Sequence, residues 1–258
     1  MKRSGPVKCK KKHCNHRNFL YNGKYREHCI LHSRLRRQGY EERNICMKKF
    51  ITYVPMQTPG RLQKGVYQAD NNPRLQVDQP LQFPVSAIIN GYAEADEEIC
   101  VIAILEEGNP DCRSNLDLMK QEIGTIAGKK GFRVSYELIE ASKDERVESQ
   151  LETYSSLISL MNDGDRLFAC ITYGTKPIPI VEFMALHFAY RTRKNVMVEC
   201  LAYGKINWRG GSAGSFYIYD VTALFFMNEL SGLLAKSGSK DPAKAIKEIL
   251  KLGDGNAQ

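Results

Sequence analysis

Residues 47–258 contain one histidine, His187. That scarcity excludes much nucleophilic and metal chemistry. A Ser–His–Asp or Cys–His system would hang on His187 alone, and this stretch shows no cluster of residues at metal-ligand spacing. His187 lies between Leu186 and Phe188 in an apolar helical pattern, the setting of a packed histidine rather than of a base. No apolar run is long enough to span a bilayer. The basic N-terminus lacks the apolar core of a signal peptide, so a cytoplasmic location and no membrane partner are expected. The Gly-x4-Gly-Lys-Ser/Thr phosphate loop is absent. No Gly-x-Gly-x-x-Gly follows the first strand, so a nicotinamide site is unsupported and no cofactor is expected. Glu106, Glu107 and Glu182 fall near loops or helix starts, but not at the spacing of a hydrolase carboxylate pair.

Excess positive charge is also missing from most of the chain. The formal net charge is +8, yet residues 1–46 carry thirteen Lys and Arg against three acidic residues, which leaves −2 for residues 47–258. Bulk electrostatic binding to DNA or RNA is therefore not the expected mode of the body. The basic segment admits two readings. Cys9, Cys14, Cys29 and His32 could hold a tetrahedral zinc and make a small nucleic-acid-binding regulator. Alternatively, residues 1–46 are disordered or an over-extended reading frame. Glu41-Glu42-Arg43 is encoded by purine-rich codons a few positions before Met47, as a translated bacterial ribosome-binding site would be. Mass spectrometry of the native N-terminus separates the two, since peptides from residues 1–46 would exclude a start at Met47. The expected organisation is residues 1–46, a body over 47–235, and a C-terminal helix and tail over 236–258.

What is present is an alternation of strands and helices. Strands are expected at 50–55, 99–105, 132–139, 166–171, 196–203 and 216–220; helices at 114–129, 144–162, 178–192, 221–235 and 239–252. The strand at 99–105 is apolar without alternation, as a strand covered on both faces should be. Residues 66–83, with the turn Asp70-Asn71-Asn72-Pro73, are expected to form a β-hairpin insertion, and 208–214 a flexible loop. Residues 84–89 fit either a helix or a strand. Cys100, Cys170 and Cys200 fall on apolar strand patterns, where cysteine acts as a small hydrophobe. The fold class is α/β, a Rossmann-like, mostly parallel sheet with helices on both faces.

The most informative stretch is 169–180. A buried strand gives way to Thr172-Tyr173-Gly174-Thr175-Lys176, and Pro177 opens a helix, where its missing N–H is no loss. Such a turn lies at the carboxyl end of a parallel strand, where open α/β sheets bind ligands. Backbone N–H groups, the helix dipole and Lys176 would all favour an anion, most naturally phosphate. Thr172 and Thr175 could hydrogen-bond a phosphate or ribose, or cap the helix. A second polar loop, 55–61, follows the first strand and carries Gln57, Thr58, Gly60 and Arg61.

These two loops, with the insertion after the first strand, resemble the CARF domain, the CRISPR-associated Rossmann-like sensor, and in particular its Thermotoga-type family. The motif Ile171-Thr172-Tyr173-Gly174-Thr175-Lys176-Pro177 carries most of the likeness. In the first loop, Met56-Gln57-Thr58-Pro59-Gly60 replaces the family's usual glycine-rich turn. The resemblance spans nearly all of 47–235. It implies a homodimer that binds cyclic oligoadenylate across its two-fold axis in type III antiviral defence, with the ring against loops 55–61 and 172–178 of both subunits. No Arg-x4–6-His ribonuclease motif and no restriction-like carboxylate–lysine set is visible, so the likeness implies no effector domain. Two roles then follow from it. One is a sensor or regulator that binds the ring intact. The other is a ring nuclease that cleaves it without metal by 2′-OH attack, with Lys176 on the developing charge and Thr175 or Tyr173 orienting the ribose.

Overall fold

The chain falls into two units, Met1–Arg43 and Asn44–Gln258. The structure, a computed structural model, describes residues 47–254, with side chains through residue 250. The zinc reading of Cys9, Cys14, Cys29 and His32, and the question of a start at Met47, lie outside the described residues.

Among the described residues seven strands form one sheet: β1 (Lys48–Tyr53), β2 (Tyr67–Ala69), β3 (Glu98–Glu106), β4 (Arg133–Ala141), β5 (Arg166–Cys170), β6 (Met197–Arg209) and β7 (Ser212–Asp220). Their order is β2-β7-β6-β5-β1-β3-β4. Every pairing is parallel except β6 with β7. Among the described residues six α-helices connect and flank them: α1 (Pro84–Tyr92), α2 (Pro110–Lys130), α3 (Val147–Ser159), α4 (Pro177–Thr192), α5 (Thr222–Lys236) and α6 (Pro242–Asp254). The α/β class and the Rossmann-like, mostly parallel sheet are thus as the alternation of elements indicates.

The central strands lack polar alternation because both of their faces are covered. Phe50, Val101, Ala103 and Phe168 pack with α1 and α2 residues such as Ile88 and Ile123. Ile51, Ile102, Leu167 and Ala169 pack on the other face with Leu157, Ala185 and Phe225. Phe50 and Phe168 are register partners on β1 and β5, and their rings stack at 4.5 Å and 12°. Such a pair contributes about 0.5–1.5 kcal/mol beyond its burial and helps keep these two strands adjacent. The four cysteines among the described residues, Cys100, Cys112, Cys170 and Cys200, are free and buried.

Several boundaries differ from expectation for identifiable reasons. Helix α2 begins at Pro110 because the Asn109 side chain accepts from the N–H groups of Asp111 (2.9 Å) and Cys112 (3.3 Å), and Pro110 suits the first helical position. Residues 84–92 are helical. Residues 208–214 are not a flexible loop: they close the antiparallel β6–β7 pair, with Arg209 opposite Ser212. Gly210 and Gly211 turn the corner at φ +56° and +84°, the left-handed geometry a two-residue hairpin needs.

The segment 66–83 is not a hairpin either. Its ends meet at a single antiparallel bridge, Gly65 with Leu81, while β2 pairs in parallel with β7. Asn71 exchanges two hydrogen bonds with the backbone of Asp220, and Asn72 donates to the Asp220 carboxylate and to Tyr92 Oη. Asn72 does cap a local turn, accepting from the Arg74 N–H at 3.0 Å, and both asparagines also tie the segment to the end of β7. No helix among the described residues is long and apolar enough to cross a membrane.

Candidate functional site

Strand order places the site. From β1 the sheet grows through β3 to β4 on one side, and through β5 to β6 on the other. The direction of winding reverses between β1 and β5, so their carboxyl ends flank the crevice where open α/β sheets bind ligands. Thr52 on β1 lies opposite Cys170 on β5. The two polar loops singled out in the sequence therefore leave the sheet side by side.

The first loop is clamped from helix α2. Asn115, fully buried, donates from Nδ2 to the carbonyls of Pro55 and Gln57, both at 2.8 Å. Cys112 Sγ lies 3.7 Å from the Val54 carbonyl, and the Thr58 hydroxyl donates to Asp111 at 3.4 Å. A single 3₁₀ turn, Pro59–Arg61, follows. Gln57, Thr58, Gly60 and Arg61 are all exposed. A Cβ at Gly60 would meet nothing within 4 Å, so no steric demand for glycine exists there.

The second loop is tied to β6. The Thr172 hydroxyl accepts from the Gly204 N–H at 2.9 Å and lies 3.2 Å from Cys170 Sγ. Thr172 thus anchors the turn and does not cap the helix. Gly174 sits at φ +107°, and an added Cβ would lie 3.1 Å from Ile178 and 3.2 Å from the Tyr53 ring, so this position does need glycine. The Thr175 carbonyl accepts from Ile178 N–H at 3.0 Å.

The source of anion-binding N–H groups differs from the one first expected. Helix α4 opens Pro177-Ile178-Pro179, so two of its first three residues have no N–H, and that of Ile178 is already bonded. The available donors lie just before the helix. Among the described residues, the backbone N–H groups of Gly174, Thr175 and Lys176 have no acceptor. Successive N–H groups without an acceptor in a turn can attract an anion. Lys176 and Arg61 are exposed, and neither side chain makes an ion pair among the described residues. Tyr173 is half-buried against the core of the α4 face, and burial raises its phenol far above the usual range. It can donate a hydrogen bond at neutral pH but cannot serve as a base.

Two features could not be read from the sequence: the contacts of Asn115 and the burial of Glu182. Asn115 looks like one polar residue on an amphipathic helix, yet it holds the first loop. Glu182 on α4 is completely buried, and neither carboxylate oxygen has a hydrogen-bond partner. His187, by contrast, is packed as the sequence indicates. It stacks on Phe225 at 4.1 Å, contacts Glu229 through Nδ1, and lies 3.1 Å from Asn228 through Nε2. It lines a cavity of about 510 Å³ with Tyr154, Phe183, Met184 and Arg191, away from both loops. Among the described residues no cluster of His, Cys, Asp and Glu could hold a metal. No family model matches the chain, and no curated protein matches it.

Proposed function

We propose that this chain is a CARF-type protein whose crevice between β1 and β5 binds a cyclic oligoadenylate, as a sensor or regulator in antiviral defence. The observation that carries the reading is the convergence of two loops at the switch point. There, the N–H groups of Gly174, Thr175 and Lys176 have no acceptor, and Lys176 on one loop and Arg61 on the other are exposed cations without an ion pair among the described residues. Phosphodiesters match such a site: each carries one negative charge and accepts several hydrogen bonds. Thr175 and the neutral Tyr173 phenol supply hydroxyls for ribose.

A homodimer follows from the same reading. Val147 and Leu151 on α3, and Ile180 and Met184 on α4, are large apolar side chains 48–68% exposed. The helices are neighbours, and Val147 and Ile180 lie on their opening turns, at the same end of the sheet as the crevice, with Leu151 and Met184 about one turn further along. A two-fold contact through this face would bring two crevices together around one symmetric ring.

The test is thermal shift of the full-length protein with cyclic tri-, tetra- and hexaadenylate, followed by chromatography of the nucleotide. Stabilisation with the ring intact supports a sensor. Stabilisation with linear adenylates appearing supports the ring nuclease, with Lys176 stabilising the developing phosphorane charge. No shift with any ring refutes the proposal.

A further inference from the structure

Glu182 is the least expected residue in the molecule. A carboxyl group sealed from water without a hydrogen bond is costly to keep, and leucine or methionine would fill the same space on α4. Its neighbours on that face, Ile178, Val181, Ala185 and Leu186, are buried and apolar. Departures from local consistency of this kind concentrate at functional sites. Its position is suggestive as well. Six residues separate Glu182 from Lys176, so at 1.5 Å per residue it lies about 9 Å along the helix from the anion-attracting turn. Burial, and to a smaller degree Glu182, push up the Cys170 thiol at the end of β5, and Cys170 contacts Thr172, the hydroxyl that anchors the turn.

We propose that Glu182 is a positioning residue that acts as a charge gate for the 172–176 turn: as an uncharged acid it lets the turn accept an anionic phosphodiester, and as a carboxylate it repels that anion along α4. The inference rests on the reading of this turn as an anion site. Two unit charges about 9 Å apart, in surroundings of effective dielectric constant about 20, change the affinity about twentyfold. Linkage makes the effect reciprocal, so a bound anion makes Glu182 equally harder to ionise.

Burial holds the Glu182 carboxyl well above the usual carboxylate range. The titratable group on the strands that interacts with it is the Cys170 thiol, pushed up to about 11 by burial first and uncharged at neutral pH. Lys176, exposed at the start of the helix, is the cation. A change of charge at Glu182 therefore has no buried counter-charge among these groups to mask it.

The experiment measures Kd for cyclic tetra- and hexaadenylate between pH 6 and 9.5, using the full-length wild type, Glu182→Gln and Glu182→Met. The second variant, free of any buried polar group, guards against misfolding of the first. The wild-type affinity is expected to fall about twentyfold as pH rises through the Glu182 titration, while both variants keep the low-pH affinity throughout. Superimposable profiles for wild type and variants would overturn the gate while leaving the binding reading intact. Failure of every protein to bind either ring at any pH would overturn both.

Discussion

Asn115→Ala tests whether helix α2 holds the first loop. The substitution removes two hydrogen bonds of 2.8 Å, to the carbonyls of Pro55 and Gln57. The two losses are unequal. Gln57 is exposed, so water replaces its bond and the net cost is about 1 kcal/mol. Pro55 is buried, and its stranded carbonyl costs about 1–3 kcal/mol. One gain offsets them: Asn115 Oδ1 is itself buried without a partner, and alanine removes it. The net destabilisation is then about 2 kcal/mol, or roughly 4–8 °C in Tm for a unit of this size. Asn115→Asp is the sharper variant. It points a carboxylate at two carbonyls and leaves it buried without a donor, which costs more than the alanine change. Urea unfolding of the three proteins, read by far-UV circular dichroism, gives the ranking. An alanine variant as stable as wild type, or an aspartate variant no worse than alanine, would refute the clamp.

Three further changes probe the same region. Gly174→Ala, at φ +107°, should cost about 1–3 kcal/mol of stability through backbone strain and weaken ring binding; Gly60→Ala, with open space around it, should stay within about 0.5 kcal/mol of wild type by the same denaturation assay. Glu182→Met should stabilise the protein above neutral pH. The folded carboxyl titrates well above its ordinary 4.5, so its contribution to stability is intact below that value and declines as pH rises toward the folded pKa. The slope is about 1.4 kcal/mol per pH unit. The wild-type-minus-variant difference in denaturant midpoint, taken at pH 5 and pH 8, reads this, and a difference independent of pH would contradict it. Leu151→Asp combined with Met184→Asp should convert a dimer to a monomer in analytical ultracentrifugation, whereas Leu224→Asp, on an exposed α5 position, should not.

The α/β architecture was legible because β1, β3 and β5 are covered on both faces and read as continuous apolar runs between amphipathic helices. The two loops were legible because turn residues interrupt those runs sharply. What stayed hidden depended on contacts distant in sequence. The pairing of β2 with β7 spans about 150 residues of chain, and nothing near Asn71 announces Asp220 as its partner. The Gly210-Gly211 turn carried a strong local signal, but its flanking strands run out to solvent and lack the apolar pattern that marks the central ones. Helical periodicity placed Pro177 and Pro179 correctly at a helix start, yet their missing N–H groups shift the anion donors back to Gly174, Thr175 and Lys176. The burial of Asn115 and of Glu182 was illegible for a common reason. A single polar residue in an amphipathic helix reads as solvated until the packing shows that it faces inward.

Isothermal titration of the full-length protein and of Lys176→Ala with the cyclic oligoadenylates tests the central claim most directly. The account predicts one ring per two wild-type chains and an affinity at least tenfold weaker in the variant, the loss expected of a phosphate contact worth about 1.5–3 kcal/mol. Equal affinities for wild type and variant, or one ring per chain, would contradict it.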